Sequence, residues 1–256
     1  MFPNSYTFER LFQQIVIKEV NYMSSLYDKN TVLDHLWQYS RFSALCLYQS
    51  EELFRLKKGF GAITVLFNCL ENICKSVIND YNSNTFVIYQ NLLDKGLITS
   101  IEHDFLNKGD NCIRKIRNYY AHKNITAIYY IYTENGQEFL CPLTEDETSL
   151  LIYEKTSDII FNMIFKIICS CFIDEVKDKF QFSLDNVILE CNIKIKFLSV
   201  KELLLLKGYP EDYISDYLDI PEDAKYRIID NSPDVNAYSF ILSGIDSDEN
   251  MKEDPR

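Results

Sequence analysis

The stretch Phe60–Tyr81, FGAITVLFNCLENICKSVINDY, decides the fold because its apolar residues recur with the period of one long helix. Drawn as a helix, it is apolar around nearly its whole circumference, which is typical of an element enclosed by others. One narrow polar stripe interrupts the apolar surface at the spacing i, i+3, i+4, i+7 and i+11, formed by Asn68, Glu71, Asn72, Lys75 and Asn79. We therefore expect a mainly helical protein whose central helix turns one polar line toward a wet surface.

Helical patterns continue on both sides of this stretch. Thr31 is the predicted cap of the preceding helix, and Gly96 is a natural end for a following one. Thr144 and Glu147 have the spacing of a capping box at the start of the last long helix. Helices are predicted at about 6–27, 31–56, 60–81, 85–94, 100–106, 110–123 and 144–179.

The segment Thr126–Pro142, TAIYYIYTENGQEFLCP, interrupts the helical patterns. Its residues alternate between the two faces of a strand, and Asn135–Gly136 is the strongest short signal for a hairpin turn. We therefore predict a β-hairpin at about 126–141. Further along the chain, Asn192–Ser199, NIKIKFLS, predicts a strand, and short helices are expected to follow it.

The order of these patterns gives the fold class and the domain organisation. The fold is expected to be mainly α, with an inserted β-hairpin and a small C-terminal α/β appendage. Seven Gly, six Pro and no internal repeat argue against sandwiches, propellers and solenoids. The expected division is a helical bundle carrying the hairpin over 1–180, the appendage over 181–245, and a disordered acidic tail over 246–256.

The composition excludes several classes of function. A net charge of -12 repels a polyanion at long range, so a uniformly basic nucleic-acid-binding surface is excluded and no DNA partner is expected. We expect no secretory signal, because Met1–Asn30 carries charges throughout. The most apolar run, Ile159–Ile173, is interrupted by Lys166 and is shorter than the ~20 residues of a membrane span. The eight cysteines contain no CxxC pair, so we expect reduced thiols in a cytoplasmic protein without a membrane partner.

The segment Cys112–Asn124, CIRKIRNYYAHKN, is electrostatically unlike the rest of the chain. On a helix, Arg114, Asn118 and His122 fall on one line at i, i+4 and i+8, and Arg117 lies beside that line. The window 107–123 holds a single acid, Asp110, against five basic residues, a local charge of +4: Lys108, Arg114, Lys115, Arg117 and Lys123. This cationic face suits an anionic ligand.

The sequence RNYYAH, Arg117 to His122, resembles the Arg-x4-His signature of the HEPN superfamily, in which a polar residue, here Asn118, follows the arginine. The family's second pattern is Glu-x3-Lys/Arg on an earlier helix, and ENICK supplies Glu71 and Lys75 on the polar stripe. The resemblance covers about Leu53 to Ile173. It implies an up-and-down helical bundle that dimerises so that two motifs meet at one cleft, often as a metal-independent endoribonuclease.

The resemblance also implies roles for the motif residues. His122 would transfer protons, Arg117 would stabilise the charge of the phosphorane, and Asn118 would orient the imidazole. Glu71 and Lys75 would support them. One chain contributes one motif histidine, so an acid and base pair requires a second copy across a two-fold interface. No cofactor or metal is expected, because His35 and His103 lack zinc-ligand spacing to any cysteine.

Single-stranded RNA is the expected partner. Its 2′-OH can attack the neighbouring phosphate, and its unpaired bases can stack on aromatic rings. The family resemblance implies a toxin or antiviral effector that an inhibitory or regulatory protein partner holds in check. The residues expected to bind RNA are Arg114, Lys115, Lys123, Tyr119 and Tyr120.

Structural alternatives exist for the same residues. Arg117 and Lys115 also fit a solvated helix face, and His122 also fits a residue that complements a helix dipole. Glu71 and Lys75, at i and i+4, also fit a routine helix ion pair. Some HEPN members bind RNA or a protein without cutting, so a non-catalytic adaptor is the second functional reading.

Overall fold

The computed structural model describes residues 26–122, 125–134, 137–170, 183–212 and 214. The described chain is mainly helical with a small antiparallel sheet, which confirms the predicted fold class at that level. The predicted helix at about 6–27 and the predicted acidic tail lie outside the described residues. The elements are α1 (Lys29–Tyr39), α2 (Arg41–Arg55), α3 (Gly59–Ile78), α4 (Thr85–Asp94), α5 (Ser100–Asn107), α6 (Ile113–His122), β1 (Ile128–Glu134), β2 (Gln137–Pro142), α7 (Asp146–Cys169), α8 (Asp185–Glu190), β3 (Ile195–Phe197) and α9 (Val200–Leu206).

The described residues divide into two compact units. The helical unit contains the residues up to Ala121 together with Glu145–Ile193, and the sheet unit contains His122–Thr144 together with the residues from Lys194 on. The hairpin thus groups with the segment after Lys194. The physical reason is that β1 pairs with both β2 and β3, and β3 comes from the C-terminal segment.

Helix α3 is the central element of the helical unit, and it packs against α2, α4 and α7. By length and composition alone α3 is able to cross a membrane, but its packed neighbours give it the position of a core helix. The prediction of an enclosed helix is confirmed. The buried side chains lie around most of its circumference: Ala62, Ile63, Leu66, Phe67, Cys69, Leu70, Ile73 and Cys74.

The first turns of α3 and α7 meet at Gly59. A Cβ at this position would lie 2.1 Å from the carbonyl oxygen of Asp146 and 2.9 Å from Cβ of Ser149, so only glycine allows the approach. The Asp146 carboxylate accepts a hydrogen bond of 2.8 Å from the Phe60 amide, one of the free donors at the start of α3. The junction of α3 and α7 is therefore fixed by backbone contact.

Two of the predicted helix caps are wrong. Asp28, not Thr31, caps α1, because its carboxylate accepts from both the amide and the hydroxyl of Thr31. The capping box of Thr144 and Glu147 is absent, since α7 begins at Asp146 with Glu145 as a cap that makes no side-chain hydrogen bond. The Asp146 carboxylate instead accepts a hydrogen bond from the first turn of α3. The acidic first turn of α7 still complements the dipole of α7.

The ends of α4 and α5 follow local rules. Gly96, at φ 67, ends α4 with paired hydrogen bonds from its own amide and from Leu97, which confirms the predicted stop. Thr99 and Glu102 form a capping box at the start of α5. The buried Glu102 carboxylate also binds Lys166 of α7 at 2.7 Å, so the cap joins α5 to the bundle.

Among its described residues, the sheet unit contains three strands in the order β2-β1-β3, all antiparallel. Tyr130 lies opposite Cys141 on β2, and Tyr129 lies opposite Lys196 on β3. The predicted hairpin is confirmed, although its Asn135–Gly136 turn lies outside the described residues. A buried cluster beside the strands consists of Ala127, Leu198, Val200, Leu203, Leu204 and Ile214.

Candidate functional site

Helix α6 presents one buried face and one polar face. Ile113, Ile116 and Tyr119 form the buried face, whereas Arg117 and Asn118 are half-buried on the other. The helix ends at His122, one turn after Asn118. The side chain of His122 and the whole of Lys123 lie outside the described part of the chain. The described site therefore consists of the polar face of α6 and the residues that contact it.

Arg117 contacts the polar stripe of α3. Its Nη2 lies 2.9 Å from Oε2 of Glu71, and Nζ of Lys75 lies 2.8 Å from Oε1 of the same carboxylate. The Arg117 contact is an ion pair and not a well-directed hydrogen bond, because Oε2 has no donor in hydrogen-bond geometry. Arg117 Nη1 also donates to Oδ1 of Asn118 at 3.3 Å. One carboxylate thus fixes two cationic head groups that the sequence placed on separate helices.

The ionised form of Glu71 is favoured by its partners. Burial on its own would raise the pKa of this carboxyl, since only 8% of the residue is exposed. The hydrogen bond from Lys75 and the charge of Arg117 outweigh burial, and the Thr85 hydroxyl is close enough to add to their effect, so the pKa lies below its ordinary value. The three charges sum to +1, and Lys75 and Arg117 remain partly open to solvent.

Arg114 occupies a different environment from Arg117. Its Nε donates to Oδ1 of Asn107 at 2.7 Å, and a second guanidinium nitrogen donates to the Asn107 carbonyl at 3.3 Å. Its guanidinium also lies over the ring of Phe86, 5.4 Å from the centroid. Arg114 therefore links the start of α6 to the end of α5 and to α4.

The two tyrosines of the motif are both held within the chain. Tyr119 is 6% exposed, and its hydroxyl donates to the Asp110 carbonyl at 3.1 Å. The hydroxyl of Tyr120 lies 2.9 Å from Oγ of Ser149, and its ring packs edge-on against Phe60. Burial raises the pKa of Tyr120 to about 12. The contacts of Tyr120 anchor the last turn of α6 on the junction of α3 and α7, and its side chain remains partly exposed.

The lysines of the basic window have acidic neighbours. Nζ of Lys115 lies 2.5 Å from the Asp110 carboxylate, and Nζ of Lys108 lies 3.0 Å from that of Asp104. Both pairs are exposed on at least one side. Asp110 is already counted in the local charge of +4, so the additional carboxylates are Asp104 and Glu71, which lie outside that window and offset two of its positive charges.

The fold brings together Arg117, Asn118, Glu71 and Lys75, whereas Arg114, three residues before Arg117 on the same helix, contacts Asn107 and Phe86. Sequence reasoning missed Asn107 and Phe86. Neither carries a motif, and the only sequence signal was the position of Phe86 directly after the Thr85 that starts α4. The histidines outside the motif have structural contacts: His35 Nδ1 lies 2.8 Å from the Thr31 carbonyl, and His103 Nε2 lies 3.1 Å from Asn107 Nδ2.

Comparisons with protein-family models, with characterised proteins and with solved structures give no match to this chain.

Proposed function

We propose that this protein is a metal-independent endoribonuclease of the HEPN type that cleaves single-stranded RNA. The observation that carries the proposal is the contact of Arg117 with Glu71 and, through that carboxylate, with Lys75. The Arg-x4-His pattern and the Glu-x3-Lys pattern were found on different helices of the sequence. Their meeting in space supports the interpretation that they belong to one site.

In the proposed reaction, a base removes the proton of the ribose 2′-OH and the 2′-oxygen attacks the adjacent phosphorus. The bond from phosphorus to the 5′-oxygen breaks, and an acid returns a proton to that oxygen. The products are a 2′,3′-cyclic phosphate and a 5′-hydroxyl, so no external oxidant or metal enters the balance. Arg117 would stabilise the pentacoordinate phosphorane, with Glu71 holding its guanidinium in place. His122 would transfer the protons.

A single chain supplies one motif histidine, whereas the reaction needs an acid and a base. We therefore propose a homodimer in which the α6 helices of two copies meet, with one His122 from each. Analytical ultracentrifugation at micromolar concentration tests this assembly, and a monomer there contradicts it. A two-histidine reaction also requires a rate that rises and then falls between about pH 5 and 8.

The decisive experiment incubates labelled single-stranded RNA with the protein in EDTA. We expect His122→Ala to lower the cleavage rate by about 10²–10⁴-fold and Arg117→Ala by about 10²–10³-fold. Arg55→Ala is the matched control, because Arg55 of α2 forms an exposed ion pair with Glu52 three residues away on the same helix. Cleavage that survives in both motif variants contradicts the site, and binding without any cleavage by the unaltered protein contradicts the enzyme.

One observation favours a second function, a non-catalytic adaptor that binds RNA or a protein. Arg117, the residue expected to stabilise the phosphorane, is already paired with the Glu71 carboxylate within the chain, which weakens the case for catalysis more than the case for binding. The same incubation separates the two functions, because the adaptor binds RNA and leaves it intact. The setting as a toxin or antiviral effector under a protein inhibitor belongs to the enzyme proposal and rests on the family resemblance alone.

A further inference from the structure

Phe86 is an exposed aromatic residue in a fixed position beside the candidate site. It is the second residue of α4, and 51% of its surface is exposed. The Arg114 guanidinium lies over its ring, and the Phe86 carbonyl accepts a hydrogen bond from Asn107 Nδ2 at 3.2 Å. Asn107 in turn accepts from Arg114. Phe86 is therefore held by α5 through its backbone carbonyl and by α6 through its ring, and about half of the residue remains exposed to solvent.

Two short links connect Phe86 to the charged group of Arg117, Glu71 and Lys75. The preceding residue, Thr85, lies close enough to Glu71 for its hydroxyl to lower the pKa of that carboxyl. Arg114, which contacts the ring, is three residues before Arg117 on α6, so the two side chains leave the helix on neighbouring positions. A group on the ring of Phe86 would thus lie next to a group bound at Arg117.

We propose that Phe86 is the stacking platform for an unpaired base of a single-stranded RNA whose phosphate is bound at Arg117. This inference rests on the proposed function and names how its substrate is held. A flat uncharged ring accepts the face of any base, and adjacent cations complement the phosphate that the base carries with it. The Arg114 guanidinium extends the platform, because arginine planes also stack on bases.

The platform takes the role that the sequence assigned to Tyr119 and Tyr120. Both tyrosines lie within seven residues of Arg114 in the sequence, but their rings and hydroxyls are used inside the helical unit. Phe86 is distant in sequence and comes to α6 only through the packing of α4 against α5.

The test measures binding and not cleavage. The probes are a short 2′-O-methyl oligoadenylate and an abasic chain of the same length, both of which carry the same charge and lack the free 2′-OH needed for cutting. The variants are Phe86→Ala, Phe86→Leu and Phe86→Trp. Phe42→Ala is the control, because Phe42 is also exposed, at 71%, and belongs to α2, which carries none of the residues of the proposed platform.

We expect Phe86→Ala and Phe86→Leu to lower the affinity for oligoadenylate by about fivefold or more and to leave the abasic chain unaffected. Phe86→Trp and Phe42→Ala are expected to bind like the unaltered protein. The slope of log affinity against log salt should stay unchanged in Phe86→Leu and become shallower in Arg117→Ala, because only the second variant removes a positive charge. Leucine keeps an apolar side chain at this position of α4, so a lower affinity in Phe86→Leu reports the absence of the aromatic ring.

Three results overturn the proposal. They are an unaltered protein that does not prefer oligoadenylate over the abasic chain, an equal loss on both probes in Phe86→Leu, and a change in oligomeric state caused by Phe86→Leu. Failure of the enzyme proposal is distinguishable from these. If the protein prefers oligoadenylate through Phe86 but leaves RNA intact, the proposed stacking platform is supported and the proposed nuclease activity is contradicted.

Discussion

Arg117 on α6 and Glu71 on α3 form an ion pair of 2.9 Å that turns two sequence patterns into one cluster of charges. The same carboxylate binds Lys75 at 2.8 Å. Glu71 is buried, whereas both cations are partly exposed to solvent, so the carboxylate orients the two head groups from the interior side.

Replacing Glu71 by Gln should lower stability by about 1–3 kcal/mol at pH 7, because two half-buried cations lose their shared partner. The effect should depend on pH. The folded pKa of Glu71 is depressed, so its contribution is full above the ordinary value of 4.5 and is lost as pH falls through the lower folded pKa. Urea unfolding of both proteins between pH 7 and pH 3 measures the difference.

Glu154→Gln provides the control for that measurement. Glu154 is exposed on α7, and its replacement should change stability by no more than about 0.5 kcal/mol. A difference between Glu71→Gln and the unaltered protein that stays constant down to pH 3 contradicts the depressed pKa.

Gly59→Ala should destabilise the fold by at least about 2 kcal/mol, because its Cβ would meet the backbone of Asp146 at 2.1 Å. Gly61→Ala, in the same turn of α3, is the matched control. Its Cβ would only touch Leu53 at 3.4 Å, so helix propensity should give a gain of about 0.5–1 kcal/mol. Thermal unfolding of the two variants checks the prediction, and equal effects would contradict the close approach of α3 and α7.

Asp110→Asn should strengthen the binding of single-stranded RNA. The carboxylate of Asp110 holds Lys115, so its removal frees a cation for phosphate. The slope of log affinity against log salt should steepen by up to about 0.7, the contribution of one further phosphate. Titrations at several salt concentrations measure it, and an unchanged slope would show that Lys115 faces no bound RNA. The double variant Asp110→Asn with Lys115→Ala should lose the gain.

Arg114→Lys should destabilise the protein nearly as much as Arg114→Ala, by about 1–2 kcal/mol. An ammonium cannot reproduce the two hydrogen bonds to Asn107 together with the flat contact on Phe86. Arg55→Ala should cost less than about 0.5 kcal/mol, since its ion pair with Glu52 is exposed. Chemical denaturation compares the three variants, and full stability in Arg114→Lys would mean that charge alone matters at this position.

Local chemistry explains which helix ends were predictable. Gly96 ends α4 because glycine adopts a positive φ at little cost, and that preference belongs to the residue itself. The caps at Thr31 and Thr144 failed because better or other partners were available. Asp28 offers two acceptor oxygens to Thr31, and α7 starts beyond Thr144, at Asp146, whose carboxylate binds α3.

The charge around Arg117 could not be predicted from the sequence, unlike the end of α4 at Gly96. The sequence shows five basic residues near one acid, but the packing of α3 brings Glu71 to Arg117, 46 residues further along the chain. A count along the chain cannot include carboxylates that arrive through packing. The strand pairing of β1 with β3 has the same origin, since the two are separated by the whole of α7.

The sequence by itself determined the helical class, the enclosed position of α3, the hairpin and the residue types of the candidate site. These follow from periodicity and from the intrinsic preferences of single residues. Only the tertiary structure decided that Arg117 contacts Glu71, that Arg114 binds Asn107, that the hydroxyls of Tyr119 and Tyr120 contact groups within the helical unit and that Phe86 is exposed. Those relationships depend on which helices pack together. Local sequence patterns do not specify that packing, because its free energy comes from contacts between side chains on different helices.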